Sequence, residues 1–132
     1  MSQDELRALF ADVSARALAY RDAAPSRLHR PERGYREMRA AFDQPTPERG
    51  ADARAVIAEL ATLAEPGLTN IIGPRFYGWV MGASHETGVA ADWLISAWGQ
   101  NVVNAHATPA ASACEEVVTR WLLDLLDLPR ES

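Results

Sequence analysis

The sequence predicts a mainly α-helical chain of about four helices, one short strand and a long Pro-rich arm. Three observations carry that expectation. Apolar residues recur at helical spacing in four separate stretches. Three of those stretches open on recognisable helix-start signals, and prolines and glycines crowd the segments between them.

The first stretch opens with Ser2 followed by Glu5, the spacing of a capping box in which each side chain satisfies an orphan backbone donor. Leu6, Leu9, Phe10, Val13, Ala17 and Tyr20 then form one apolar stripe, predicting an amphipathic helix to about residue 21. Pro25, Pro31, Gly34, Pro45 and Pro47 break the pattern, leaving at most a short helical turn near Tyr35–Ala41. An irregular arm of this length is expected to lie across another surface. Thr46-Pro47-Glu48 predicts the next helix start, with Ala53, Val56, Ile57, Leu60 and Leu63 as the buried face and Pro66-Gly67 as the stop.

Phe76-Tyr77-Gly78-Trp79-Val80 is the one segment with strand composition. A helix from about Glu86 to Gln100 is apolar on nearly every side and is expected to be buried all round. The last helix is expected to start at Thr108 as cap and Pro109 at the first helical position. Val117, Val118, Trp121, Leu122, Leu125 and Leu126 give it a broad apolar face. One domain's worth of chain with so long an arm cannot cover all this apolar surface, so a partner chain or further residues are expected to meet it.

The formal net charge of −5 argues against a nucleic-acid partner. Seven arginines between Arg16 and Arg39 form the only basic cluster, read as a solvated loop paired with nearby acids. No apolar run is long enough for a membrane span, and the acidic N-terminus lacks the apolar core of a secretory signal. A single cysteine, Cys114, fits a reducing compartment, and a cytoplasmic setting is expected.

All 13 basic residues are arginine, and lysine is absent. A guanidinium stays protonated and cannot attack an aldehyde as an amine, so lysine Schiff-base chemistry is closed to this chain alone. His29, His85 and His106 lack metal-ligand spacing, and no Gly-x-Ser-x-Gly elbow or phosphate-binding glycine loop occurs. Cys114 reads as a packed structural cysteine. Phe76, Tyr77 and Trp79 read as core or as the lining of a ligand pocket. A metal site using His85, Glu86 and His106 is a weaker third reading.

The series Gly67-Leu68-Thr69, Pro74-Arg75-Phe76-Tyr77-Gly78-Trp79-Val80, Ala91-Asp92-Trp93-Leu94, Thr108-Pro109-Ala110, Trp121-Leu122 and Leu126-Asp127-Leu128-Pro129 resembles group II pyridoxal-phosphate-dependent amino-acid decarboxylases. That family includes the aromatic-L-amino-acid, histidine, tyrosine and glutamate enzymes. The resemblance covers about residues 50–129 and implies the N-terminal part of a fold-type I enzyme without its large α/β domain. It implies an obligate homodimer in which residues 1–48, helix and arm, cross to the other subunit, while residues 49–132 form the helical segment. It also implies a substrate-pocket wall of Trp79, Val80 and Gly82, with Asn101 and Val103 reaching the neighbouring site. Pyridoxal phosphate is the implied cofactor of the full-length enzyme and a small L-amino acid its substrate. No catalytic, cofactor-binding or metal-binding residue falls on this chain, because the family's cofactor residues lie downstream of Ser132. Two departures stand out: Gly73 occupies the place of a histidine in many bacterial relatives, and Gly82 that of a threonine in the aromatic-amino-acid enzymes. The chain is therefore expected to be a truncated piece of a decarboxylase, or else a non-catalytic helical module derived from one.

Overall fold

The computed structural model describes residues 1–101 and 103–130. Among the described residues it contains five α-helices, a 3-10 turn and no strand, and the chain divides into two compact units, Met1–Ala83 and Ser84–Ser132. It is mainly α, as the sequence predicts.

In the first unit, α1 (Gln3–Ala23) begins at the expected capping box. The Glu5 amide donates to Ser2 Oγ at 3.2 Å, and the Ser2 amide donates to Glu5 Oε2 at 2.5 Å. Exposed pairs Arg7–Asp4 and Arg16–Asp12, at 3.1 and 3.0 Å, run along its outer side and contribute a few tenths of a kcal/mol each at most. The short turn expected near Tyr35–Ala41 is a full helix, α2 (Tyr35–Phe42), whose start is closed by the Gly34 amide donating to Glu37 Oε2 at 2.9 Å.

The next helix does not start at Thr46. It is α3 (Ala53–Ala64), capped by Asp52, whose Oδ1 accepts from the Ala55 amide at 3.0 Å. Threonine and aspartate are both good caps, but only Asp52 stands directly before the apolar run, and Gly50 separates Thr46 from it. Glu65–Gly67 closes α3 as a 3-10 turn. Helices α1 and α2 both pack on α3. Met38 of α2 lies so close over Gly67 that a Cβ there would sit 2.7 Å from its Sδ.

The arm between α1 and α2 is stitched to the segment after α3. Pro66 O accepts from the Glu32 and Arg33 amides, both at 2.9 Å, and His29 O accepts from the Asn70 amide at 3.1 Å. Arg27 lies over the Tyr20 ring at 4.7 Å and pairs with Glu65 at 2.5 Å, so it reaches a distant acid and not a neighbour on the arm. Asn70 is only 3% exposed, the one buried polar side chain among the described residues. Its Nδ2 donates to Ala24 O at 2.8 Å and towards Arg27 O at 3.4 Å.

That asparagine explains the glycine at position 73. A Cβ on Gly73 would stand 2.6 Å from Asn70 Nδ2, closer than any real contact. Gly73→Ala is therefore expected to destabilise the first unit by about 1–3 kcal/mol through overpacking. A thermal melt within a degree of the parent would refute the close approach.

The second unit holds α4 (Glu86–Trp98) and α5 (Pro109–Leu125). Gly99, at φ 62°, ends α4 in the left-handed conformation that favours glycine. Pro109 takes the first position of α5, but Thr108 does not cap it through its side chain. Thr108 Oγ1 instead donates to Asn104 O at 3.2 Å, while Asn104 Oδ1 accepts from the His106 and Ala107 amides at 3.1 and 2.8 Å. Arg130 closes the far end with two bonds of 2.9 Å to Asp124, which hold its pKa above the ordinary guanidinium value.

Three further expectations are corrected. No strand forms at Phe76–Val80: strand composition needs a ladder partner, and none is present among the described residues. Helix α4 is not buried: Trp93, Leu94, Ile95 and Trp98 are 42% to 63% exposed. Cys114 is exposed, not packed. Apolar composition says what a helix tends to bury, and it does so only where a neighbouring surface exists.

Candidate substrate-wall residues

The five candidate wall residues divide between the two units. Trp79, Val80 and Gly82 lie at the end of the first, and Asn101 and Val103 lie in the loop after α4 in the second.

The segment carrying the first three is launched from the Asn70 clasp. Gly73 N donates to Asn70 O at 3.3 Å and Phe76 N to Gly73 O at 3.1 Å, two successive tight turns. Arg75 reaches back to Pro25 O at 3.4 Å, and Tyr77 Oη donates to Pro74 O at 3.2 Å. Phe76 is half-buried, so the core reading holds for it alone; Tyr77 and Trp79 project into solvent. Trp79 and Val80 both take positive φ, 61° and 53°, and the Met81 amide donates to Gly78 O at 3.4 Å to close the turn. Two consecutive non-glycine residues in this region, one β-branched, store conformational energy on the order of 1–3 kcal/mol each. Gly82 has open space where a side chain would stand.

In the second unit, Asn101 and Val103 are exposed, and the Val103 amide donates to Asn101 O at 2.9 Å. Chemically the five residues offer an indole, an amide and aliphatic surface. Such a set can exclude water and select shape but has no group that exchanges protons near neutral pH.

Nothing in the local sequence marks Asn70. A lone asparagine among Thr69, Ile71 and Gly73 looks like an ordinary turn residue, and its side-chain partners stand 43 and 46 residues away. An open groove of about 570 Å³ runs between α1 and α3 and is lined by Val13, Ala17, Tyr20, Ile57, Leu60 and Ala61, among others. Among the described residues no group of three or more His, Cys, Asp or Glu is placed to hold a metal. Among the described residues no helix is long and apolar enough to cross a membrane.

Residues 36–132 match the family described as the pyridoxal-dependent decarboxylase conserved domain. The chain belongs to that family. It is 30% identical over 98 residues to aromatic-L-amino-acid decarboxylase of Rattus norvegicus, covering 74% of this chain and 20% of that protein. Tyrosine decarboxylase 1 of Narcissus pseudonarcissus is 23% identical over 100 residues, 76% of this chain and 19% of its own length. Tryptophan decarboxylase 1 of Oryza sativa subsp. japonica is 28% identical over 83 residues, 63% of this chain and 16% of its own. The chain thus spans about a fifth of the length of these curated relatives.

The residues present do not fit pyridoxal phosphate as a bound cofactor of this chain alone. Lysine is absent, and Trp79, Val80, Gly82, Asn101 and Val103 offer no cation for the phosphate and no acid for the pyridinium nitrogen.

Proposed function

We propose that this chain supplies the N-terminal helical part of a pyridoxal-phosphate-dependent amino-acid decarboxylase: dimer contacts, and one portion of the substrate-pocket wall. The single observation that carries this reading is the family match over residues 36–132 in a chain that holds no lysine. In the whole enzyme the cofactor would serve as the electron sink for release of carbon dioxide from a small L-amino acid. The contribution of Trp79, Val80, Gly82, Asn101 and Val103 is to exclude water and fit the side chain of the substrate. Residues 1–48 serve as the segment that crosses to the other subunit of a homodimer, and residues 49–132 as the helical body beside the pocket. The setting is cytoplasmic.

A second reading is favoured by one feature, the exposed apolar faces of α4 and α5. On it, the 132-residue chain is a non-catalytic module that pairs with itself or with a full-length relative. The intact mass of the native protein from its source cells separates the two. A mass several times 14.4 kDa, with carbon dioxide released from an L-amino acid, supports the first, and a native mass of 14.4 kDa without that activity supports the second.

Both readings share one chemical expectation. When the 132-residue chain, its α-amino group blocked, is mixed with pyridoxal phosphate and reduced with borohydride, its mass stays unchanged. A stoichiometric adduct would mean that a nucleophile other than lysine reaches the aldehyde.

A further inference from the structure

Where the arm hooks onto Pro66 O through the Glu32 and Arg33 amides, it borders an open recess of about 400 Å³ at the end of α3. Four charged side chains line it: Arg27, Arg30 and Glu32 from the arm, and Glu65 from the turn that closes α3. Leu28, Pro66 and Leu68 supply apolar wall. A recess of this size with a few converging polar groups is the usual form of a small-molecule site.

The four charges are not equivalent. Arg27 and Glu65 pair with one another, and Arg27 is held a second time by the Tyr20 ring. Arg30 and Glu32 are exposed, and among the described residues neither side chain has an ion-pair or hydrogen-bond partner. We propose that the recess binds a small zwitterion of the amino-acid type. Its carboxylate sits on Arg30, its ammonium on Glu32, and an aliphatic side chain lies against Leu28 and Leu68. The balance of charge carries the choice. Two guanidiniums and two carboxylates cancel, so a simple anion drawn to Arg30 meets Glu32, and a simple cation drawn to Glu32 meets Arg30. A molecule with both charges on a short stem satisfies both. The rim is set before the ligand arrives, because two bonds to Pro66 O and the Arg27–Glu65 pair pin the arm, and little ordering is lost on binding. Exposure of Arg30 and Glu32 keeps the affinity modest, with a Kd on the order of 1 mM. None of the five residues of the proposed substrate wall lines the recess, so the site does not depend on the decarboxylase reading.

The test follows amide chemical shifts of the isotope-labelled full chain during titration with L-valine. The amides of Leu28, Arg30, Glu32 and Leu68 are expected to shift and to saturate in the low millimolar range. N-acetyl-L-valine keeps only the carboxylate and L-valinamide only the ammonium, and each is expected to bind roughly fivefold more weakly. Arg30→Gln and Glu32→Gln should each weaken valine binding by a similar factor with helix content unchanged, since neither side chain holds the fold. Shifts that stay linear to about 20 mM, an analogue that binds as tightly as valine, or a glutamine variant that binds like the parent each overturn the proposal. So does a saturable response confined to Trp79, Val80 and Val103, which would put valine on the substrate wall instead.

Discussion

Replacing Asn70 by alanine is expected to lower the unfolding free energy of the first unit by about 2–4 kcal/mol, enough to abolish a cooperative melt in a marginal unit. The side chain is buried and ties the carbonyls of Ala24 and Arg27, the end of α1 and the start of the arm, to the segment after α3. Alanine leaves both acceptors without that donor and opens a hole beside Gly73. Asn70→Asp is the sharper variant. It keeps the shape, but it replaces the donating amide with a carboxylate that faces two carbonyl oxygens in a buried place, and should cost at least as much. Urea titration followed by far-ultraviolet circular dichroism reads both changes. A loss below about 0.5 kcal/mol for the alanine variant would mean that the clasp does not hold the unit together.

The second large effect concerns association. Trp93, Leu94, Ile95 and Trp98 on α4, and Trp121, Leu122 and Leu125 on α5, are all 42% or more exposed. Covering half of such a side chain is worth about 1 kcal/mol, so the set is sufficient to offset the cost of bringing two chains together. In light-scattering chromatography the 132-residue chain should therefore elute at a multiple of its 14.4 kDa mass. Trp98→Glu combined with Trp121→Glu should return it to a monomer with its helix content unchanged. A sharp 14.4 kDa peak from the parent would show that these faces tolerate water.

What could be read from the sequence was what is decided locally. The Ser2–Glu5 box, the Pro109 start and the stop at Pro66-Gly67 each involve neighbours within one turn, and each stands where the pattern put it. The start of α3 lies at Asp52 and not at Thr46 because aspartate is the stronger cap and stands directly before the apolar run. The strand at Phe76–Val80 failed for a different reason: β composition describes a surface that fits a pleat, and pleats need partners. Thr108 stands at the expected cap position, but its hydroxyl bonds Asn104 O because that neighbouring asparagine organises the turn. The candidate wall was legible only through family likeness. Nothing in the periodicity of Trp79, Val80, Gly82, Asn101 or Val103 marks them, and Asn70, which launches the segment, acts across more than 40 residues.

The staples at the base of the arm have a further consequence for how this chain can change. Arg27 with Glu65, Pro66 O with the Glu32 and Arg33 amides, and Asn70 with Ala24 and Arg27 close the excursion from residue 28 to residue 64 near its root. Once a loop is pinned there, its contour length matters little, since doubling a flexible loop adds only about 0.6 kcal/mol of closure entropy. Length variation among descendants of this gene should therefore gather in the irregular stretch between α2 and α3, while the spacing from Glu65 to Gly73 stays fixed.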